Sequence, residues 1–323
     1  MELLKQLTKT NSASGREDDI KELILEKTKG YYDEKTEDAL KNLILRKKGT
    51  NKKIMIAAHM DEIGVIITVI DEDGFLRFSQ VGGLYNEDLV GRRVIFKNSV
   101  VGVIGADEEN KERKINKLYI DIGAKNKEDA KRMVSVGDTG VFVGDFYEND
   151  DIIISKALDN RVGCYIMIEA MKRVKSENDL YFVFTTQEEV GLRGARTSAF
   201  SIEPDYAVCI DVTDAGDTPE KFKIDTKLGD GAAIKIMDAS VMCDPFIRSQ
   251  LSLIASKNNI PYQLEVMTAG GTDAGAIAVS GAGVKTGGIS VPARYIHSPS
   301  EMVSKKDIKA CIDLLTEFLN QTL

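Results

Sequence analysis

Short apolar runs with the length of single strands alternate with amphipathic stretches along the first part of the chain. Leu43–Leu45 and Ile54–Ala58 are continuous apolar runs, which are typical of buried strands. The residues Ser14–Glu17 fit a capping box, in which a hydroxyl starts a helix and a carboxylate three residues later closes its first turn. We therefore predict an amphipathic helix that ends near Lys29, and then two strands, of which the second ends at His59.

The pattern changes between residues 66 and 152. Short Val- and Ile-rich runs are separated there by turn signals such as Gly82-Gly83 and Gly137-Asp138. Frequent short strands with close turns predict a small β-rich, barrel-like unit. We predict its one helix at Lys127–Met133 and a solvated turn at Lys111–Lys114. Because helices and strands alternate again afterwards, the segment is predicted to be an insertion.

Alternating helices and strands return in the second half of the chain. The predicted helices are Asp159–Lys175, Pro245–Lys257 and a C-terminal helix that begins with a second capping-box pattern at Ser304–Asp307 and ends near Leu319. The predicted strands are Leu180–Thr185, Tyr206–Ile210, Ala233–Met237, Gln263–Met267 and, last, Val284–Ser290. Ala269–Gly275 is predicted to be a turn-rich loop.

This order of elements predicts an α/β fold with a doubly wound, mostly parallel sheet that carries helices on both faces. The inserted β-rich domain divides the catalytic domain into two parts. We predict a discontinuous catalytic domain made of residues 1–65 and 153–323, with the insertion at 66–152.

Composition narrows the class of protein. Hydrophobic residues make up 43% of the 323 positions, which is enough for a sizeable core, and the net charge is −8. An acidic chain without a basic stripe is a poor candidate for binding nucleic acid or an anionic membrane. No apolar stretch approaches the roughly 18 residues that span a bilayer. The four cysteines show no CxxC spacing, which is typical of free thiols in a reducing cytoplasm.

Candidate chemistry lies where the predicted buried strands end. Ligands of doubly wound sheets bind outside the carboxyl ends of the strands, so residues at those ends are expected to converge. The chain has only two histidines, and both belong to this set. The candidates are His59 and Asp61 after one strand, Glu188 and Glu189 after the next, Asp211 after a third, Asp159 at a helix start, and His297 in a loop after the last strand.

Imidazole nitrogens and carboxylate oxygens together suit Zn²⁺, and Co²⁺ and Mn²⁺ are also compatible with them. A single catalytic zinc takes three protein ligands and a water. Two histidines and three carboxylates exceed that number and match two ions that share one bridging carboxylate, an arrangement known in aminopeptidases, phosphatases and nucleases.

Each candidate also has an ordinary structural explanation when it is taken alone. His59 and His297 could be structural histidines, and Asp159 a plain helix N-cap. Glu188-Glu189 could be solvated loop charges, Asp211 part of an Asp-Val-Thr-Asp turn, and Gly270–Asp273 an ordinary turn. Their common position at strand ends favours the metal-binding interpretation over a coincidence of separate structural roles.

Six ordered segments resemble the dinuclear metallo-aminopeptidases that include glutamyl, deblocking and tetrahedral (TET) aminopeptidases, some of which carry an endoglucanase label. The segments are Ala58–Gly64, Ala157–Arg161, Thr186–Gly191, Asp211–Thr213, Gly270–Asp273 and Arg294–Ser298. The resemblance covers nearly the whole chain, including the insertion.

The resemblance implies a role for each matching residue. Asp159 would bridge two divalent ions, His59 and Asp211 would complete one site, and Glu189 and His297 the other. Glu188 would be the general base that takes a proton from the metal-activated water, and Asp61 would orient His59. The loop Gly270, Gly271, Thr272 and Asp273 would line the substrate pocket.

The resemblance further implies peptide substrates with a free N-terminus and a dimer-based homo-oligomer, such as a dodecamer, assembled through the insertion. Three other functions remain open at this point: glycoside hydrolysis, which needs two carboxylates and no metal, two-metal phosphoester hydrolysis, and a non-catalytic protein stapled by metal. The motifs show no basic clamp for phosphate, which disfavours the second. The absence of Trp disfavours a sugar cleft, and the absence of Cys from the motifs disfavours a structural zinc site.

Overall fold

The computed structural model describes residues 1–107, 113–219 and 224–322. Lys111, in the predicted solvated turn, lies outside these residues. The helices are α1 (Glu2–Lys9), α2 (Asp18–Thr28), α3 (Lys127–Met133), α4 (Leu158–Arg173), α5 (Arg193–Ile202), α6 (Pro245–Lys257), α7 (Asp273–Ala278) and α8 (Lys305–Leu319).

The strands belong to one large sheet and one closed barrel. In chain order they are β1 (Glu34–Glu37), β2 (Leu43–Lys47), β3 (Lys53–His59), β4 (Gly64–Ile70), β5 (Leu76–Val81), β6 (Arg93–Phe96), β7 (Val101–Ala106), β8 (Leu118–Asp121), β9 (Thr139–Phe142), β10 (Tyr147–Glu148), β11 (Ile152–Ser155), β12 (Asp179–Thr185), β13 (Tyr206–Asp214), β14 (Ala232–Met237), β15 (Tyr262–Val266), β16 (Lys285–Arg294) and β17 (Glu301–Ser304).

The large sheet has the order β1-β2-β12-β3-β13-β16-β17-β11-β10, and β14 and β15 branch from β16. Its four central strands, β12, β3, β13 and β16, run parallel. The strands on either side of these four pair antiparallel with them. The predicted α/β fold with a mostly parallel core is therefore confirmed, and the antiparallel margins are an addition.

Helices cover both faces of the sheet, as predicted. On one face, α4 and α8 pack against the central strands, and side chains such as Phe182 and Ile56 are fully buried there. On the other face, α5 and α7 pack over β3, β12 and β13, where Ala57 and Val183 are buried. Strands covered on both faces must be apolar along their whole length, which explains why the runs in β3 and β12 are continuous.

The barrel consists of β4 to β9 in the order β4-β5-β8-β7-β6-β9, with every pair antiparallel. It has its own core, in which Val65, Val94 and Ile120 are fully buried. Helix α3 covers the predicted range, and its Ala130 is buried in the same core. The β-rich, barrel-like unit is therefore confirmed, whereas the domain boundaries at residues 65/66 and 152/153 stay predictions.

Some predicted elements end or begin elsewhere. Strand β13 continues through the predicted turn to Asp214, because Asp211 pairs with Ser290 of β16 and the pairing continues to Asp214 and Ala293. Strand β16 is not the last one, since β17 follows it. Part of the predicted loop Ala269–Gly275 is helical, because α7 begins at Asp273.

The first capping box is also wrong. Helix α2 begins at Asp18, and its N-cap residue Glu17 makes no side-chain cap bond. The Ser14 hydroxyl instead donates a hydrogen bond of 2.6 Å to Oδ2 of Asp61, and the Glu17 carboxylate accepts from the Gly15 and Gln187 amides. Each side chain therefore has a partner that is distant in sequence, Asp61 for Ser14 and Gln187 for Glu17. The second box is correct in part, because the Ser304 hydroxyl accepts from the Lys306 amide.

Candidate metal centre

The parallel strands bring the candidate residues to one edge of the sheet. His59 is the last residue of β3 and pairs with Thr185, the last residue of β12. Glu188 and Glu189 lie three and four residues after the end of β12. Within β13, Cys209 pairs with Ala57 of β3, so that Asp211 lies level with His59.

Asp159 lies between the two imidazoles. Its Oδ1 is 3.0 Å from Nε2 of His59, and its Oδ2 is 3.4 Å from Nε2 of His297. Asp159 is in the first turn of α4, and His297 is in the loop between β16 and β17. Residues from opposite ends of the sequence therefore meet at one carboxylate.

The other carboxylates surround this group. Nε2 of His297 is 3.3 Å from Oε2 of Glu189, and Nε2 of His59 is 3.8 Å from Oδ1 of Asp211 and 3.9 Å from Oε2 of Glu188. Within the described residues, two groups have potential ligand atoms within 4.8 Å of one another. These groups are His59, Asp159 and Glu189, and His59, Glu188 and Asp211. Glu188 is therefore near enough to be a ligand as well as a base.

Burial and mutual charge shift every pKa in the cluster. Burial raises the pKa of Glu189 to about 8 and that of Asp211 well above its usual value. Burial also raises the pKa of Glu188, to which the charges of Asp211 and Glu189 add. Burial opposes protonation of His297, but the hydrogen bond to Asp159 raises its pKa to about 10.

Asp159 and His59 shift in the directions of a charged pair. Burial would raise the pKa of Asp159, but hydrogen bonds from His297 and His59 lower it well below its usual value. Burial would lower the pKa of His59, and the surrounding carboxylates, Glu188 foremost, raise it well above 6.5. The cluster therefore holds positive charge readily and tolerates additional negative charge poorly.

The donor set fits divalent cations. Acidic groups outnumber imidazoles in a buried space, and uncompensated buried charge is costly. Oε1 of Glu189 is buried without a hydrogen-bond partner among the described residues. A mixed set of nitrogen and oxygen donors is the type that Zn²⁺ and similar ions bind. A pair of such ions would compensate the charge and could take this oxygen as a ligand.

Asp61 lies behind His59 and outside the two potential ligand groups. Nδ1 of His59 is 3.2 Å from the Asp61 carbonyl oxygen and 3.5 Å from its Oδ1. The Asp61 carboxylate also accepts hydrogen bonds from the Ser14 hydroxyl and from the amides of Glu188 and Glu189. Because Nδ1 of His59 donates to the oxygens of Asp61, Nε2 is the ring nitrogen that faces the cluster.

The cluster opens into a cavity of about 420 Å³. The loop residues Gly270, Gly271 and Thr272 line this cavity together with Met267. Asp273 does not line it, because its side chain is buried and its Oδ2 accepts a hydrogen bond from the Thr185 hydroxyl. Three of the four residues predicted to line the pocket thus face the same space as the cluster.

Some residues that hold the cluster were not singled out from the sequence. Asn160 is fully buried, and its side chain donates to the Ile210 carbonyl, which ties the start of α4 to β13. Glu301 accepts hydrogen bonds from the backbone amides of Asp159 and His297. Ser14 also belongs to this group, because the sequence predicts a helix cap and not a contact with Asp61. The only sign of Glu301 in the sequence is that it is an acidic residue four positions after His297. Its place beside the cluster follows from the pairing of β17 with β11 and β16.

No helix in the described parts of the chain combines the length and apolar character needed to cross a lipid bilayer.

Comparison with known proteins gives a consistent picture. The sequence pattern of M42 glutamyl aminopeptidases matches residues 41–314. The chain is 52% identical to a protein of Acetivibrio thermocellus that is provisionally named an aminopeptidase, over 98% of this chain and 97% of the relative. The fold of this chain resembles that of the Pyrococcus horikoshii TET1 peptidase, with a TM-score of 0.91 and 36% identity over 99% of each chain. That peptidase can assemble into a tetrahedron or a large octahedral shell.

One similar solved structure carries a different name. A Thermotoga maritima protein named endoglucanase has a TM-score of 0.85 and 34% identity, over 98% of this chain and 96% of that one. The likeness of fold and sequence to proteins with two different names leaves the chemistry to be argued from the site itself.

Proposed function

The chain belongs to the M42 glutamyl aminopeptidase family, and we propose that it is a two-metal aminopeptidase that removes residues from the free N-terminus of peptides. The observation that carries the proposal is the contact of both imidazoles with the two oxygens of Asp159. A carboxylate whose two oxygens face two different imidazoles is suited to hold two closely spaced ions, as two-metal sites require.

We assign the ligands on this basis. Asp159 would hold both ions, His59 and Asp211 would complete one site, and Glu189 and His297 would complete the other. The distances among these residues support the assignment. Zn²⁺ is the ion that best suits this donor set, and Co²⁺ and Mn²⁺ also fit it.

Bound divalent ions would supply Lewis acidity and lower the pKa of a coordinated water. In this scheme the Glu188 carboxylate accepts the water proton and later returns it to the leaving amine. Asp61 holds the ring of His59 in the orientation that keeps Nε2 free to bind. The role of Glu188 as base depends on its not being a ligand, which the Glu188 substitution below tests.

The charge of the site favours a substrate with a free amino group. A protonated N-terminus is attracted by the acidic residues around the cavity, whereas an acylated N-terminus is not. We propose that the side chain of the first residue lies against Gly270, Gly271 and Thr272. Cleavage next to the N-terminus then follows from the position of the amine.

Glycoside hydrolysis and a stapled, non-catalytic protein are less well supported. A glycosidase places two carboxyl groups on either side of the bond and uses no metal, whereas these carboxylates lie against two imidazoles. A structural zinc site is closed and favours cysteine, whereas this cluster opens into a cavity and the four cysteines are buried and free.

Chelation and reconstitution test the proposed function. Protein stripped of metal should lose activity on aminoacyl chromogenic substrates and regain it with Zn²⁺ or Co²⁺, while N-acetylated versions of the same substrates stay uncleaved. The same panel, run with each ion, reports the preferred N-terminal residue. Unchanged peptidase activity after chelation, or chelator-insensitive release of reducing sugar from cellulose, would reject the proposal.

We also propose a homo-oligomer. The similarity to the TET1 peptidase, which forms closed shells, supports an assembly built from dimers and as large as a dodecamer. In this proposal the catalytic domain comprises residues 1–65 and 153–323, and the insertion 66–152 contributes to assembly and to access to the site. A cytoplasmic location stays a prediction.

A further inference from the structure

Glu301 links two of the candidate ligands through their backbones. It is the first residue of β17, and only 2% of its surface is exposed. Its Oε2 accepts a hydrogen bond of 2.9 Å from the Asp159 amide, and its Oε1 accepts one of 3.0 Å from the His297 amide. One rigid carboxyl group therefore spans the backbone on both sides of the candidate metal centre.

Both amides need an acceptor at these positions. Asp159 lies at the start of α4 with a non-helical ψ of 106°, where backbone N–H groups have no partner within the helix. His297 has a φ of 63°, a left-handed conformation that is unfavourable for a residue other than glycine. The hydrogen bond from Glu301 favours this conformation and so fixes the direction of the imidazole.

The backbone of Glu301 is itself fixed. Strand β17 pairs with β11, where Glu301 lies opposite Ser155, and with β16, where Met302 lies opposite Arg294. Ser155 precedes the Asp159 turn, and Arg294 precedes the His297 loop. Glu301 thus lies between β11 and β16, the strands that precede the segments carrying Asp159 and His297. Its side chain connects these two segments a second time, through the amides of Asp159 and His297.

We propose that Glu301 is a positioning residue that sets the distance between Asp159 and His297 and thereby the affinity of the site for its second divalent cation. This inference rests on the proposed two-metal function. The ion held by His297 and Glu189 depends on it most, because His297 lies in a loop, whereas His59 and Asp211 are held by their own strands β3 and β13.

Substitution of Glu301 by glutamine separates this role from a general loss of structure. Glutamine has nearly the same shape, but it offers one acceptor oxygen in place of two and turns an NH₂ group toward one of the amides. We expect the backbone fold to persist. One of the two hydrogen bonds that residue 301 accepts is then replaced by an unfavourable contact between the glutamine NH₂ group and a backbone N–H. Changes in residues that orient metal ligands typically weaken metal affinity 10- to 100-fold.

The experiment titrates metal-free protein with Zn²⁺ by calorimetry, and with Co²⁺ by its visible absorption, which reports coordination apart from activity. The control variant E148Q makes the same chemical change on β10, where Glu148 is exposed and pairs with Lys305. We expect wild type and E148Q to bind two ions, and E301Q to bind the first with little change and the second at least ten-fold more weakly.

Unchanged affinity for both ions in E301Q, or an equal weakening of both, would overturn the positioning role. If wild type binds no ion, the proposed function itself fails, so the two failures are distinguishable. Should E301Q not fold, as judged by circular dichroism, E301D is measured against the same criterion. Aspartate keeps a carboxyl group with two acceptor oxygens but is one methylene too short to reach both amides.

Discussion

At the scale of single residues, the charge around Asp159 determines what the cluster can hold. Asp159 contacts both imidazoles, while Glu188, Glu189 and Asp211 crowd the same buried space. Each of these last three carboxylates has a raised pKa because burial and its neighbours oppose ionisation. Such a site is held together best by cations, and this is the physical reason for preferring a metal centre to a sugar-cleaving pair.

Glu188 is the residue whose role is most open to test. In the Glu188→Gln variant we expect unchanged metal content and a kcat lower by about 10²–10⁴-fold, with a small change in KM, because the proton acceptor is lost and the ligands remain. Metal analysis and steady-state kinetics measure both quantities. Glu203→Gln, at an exposed residue after α5, is the matched control. Loss of metal along with activity would make Glu188 a ligand.

Ser14 offers a second test at this scale, because its hydroxyl supports Asp61 from the N-terminal segment. Replacing Ser14 by alanine removes a hydrogen bond to a charged group, an interaction worth about 1.5–3 kcal/mol. Asp61 then holds His59 less firmly, so metal affinity should fall about ten-fold without loss of the fold. Zinc titration of S14A, with Ser201→Ala as the control, measures this. Identical affinities would show that the Ser14 bond does not support the site.

At the scale of elements, apolar runs and capping residues correctly predict the strands and helices that local interactions determine. The apolar run Ile54–Ala58 predicts β3 because a strand buried on both faces needs apolar residues throughout. Helix α6 matches its predicted range, because Asp244 caps it and Pro245 starts it. The same reasoning located Glu188 and Glu189 at the end of β12.

The features that the sequence did not predict depend on contacts between segments that are distant in the chain. A single sequence gives little indication of such contacts. The sequence predicts that β13 ends at Ile210, just before Asp211, yet pairing with β16 extends the strand beyond Asp211. Ser14 looked like a cap, yet Asp61 binds its hydroxyl. The role of Glu301 depends on the placement of β17 between β16 and β11. These partners are distant in sequence, and one sequence alone does not specify them.

Helix α8 carries a pH-sensitive contact away from the metal centre. The Asp307 carboxylate is buried and accepts hydrogen bonds from the Gly229 and Gly231 amides. Burial raises its pKa from 3.8 to about 6, and the nearby charge of Asp230 adds to this although the two amides oppose it. Between these two pH values the folded chain keeps a proton that the unfolded chain has released.

The contribution of Asp307 to the free energy of unfolding should therefore fall as pH rises from about 4 to about 6. The expected loss is about 3 kcal/mol, since one pKa unit corresponds to about 1.4 kcal/mol. Asp307→Asn removes this titration, although it lowers stability at every pH by removing an acceptor. Urea unfolding of both proteins at pH 4, 5, 6 and 7 should show that the gap between them narrows as pH rises. A gap that stays constant would mean that Asp307 does not titrate in this range.

At the scale of the whole molecule, the barrel and the sheet have separate cores, and the barrel begins shortly after β3, the strand that ends at His59. Glu62 joins this junction to α4, because its carboxylate pairs with Lys156 and Arg161 in a buried network. The candidate metal centre thus lies where the insertion leaves the sheet. This position agrees with the proposal that the insertion contributes both to assembly and to substrate access to the metal centre.

The proposed assembly predicts a particle far larger than one chain. Sedimentation equilibrium under native conditions should give about twelve times the 35.5 kDa of the chain, or a smaller closed assembly that is a multiple of two chains. The protein with residues 66–152 replaced by a short linker should sediment as a smaller species. A 35.5 kDa monomer in the intact protein would refute the proposed assembly without affecting the metal centre.

Anomalous diffraction from crystals of the zinc-loaded protein, recorded on both sides of the zinc absorption edge, tests the central claim most directly. We predict two peaks about 3.5–4 Å apart, one on each side of the Asp159 carboxylate, with His59 and Asp211 at one and Glu189 and His297 at the other. A single peak, or zinc bound away from Asp159, would contradict the two-metal account.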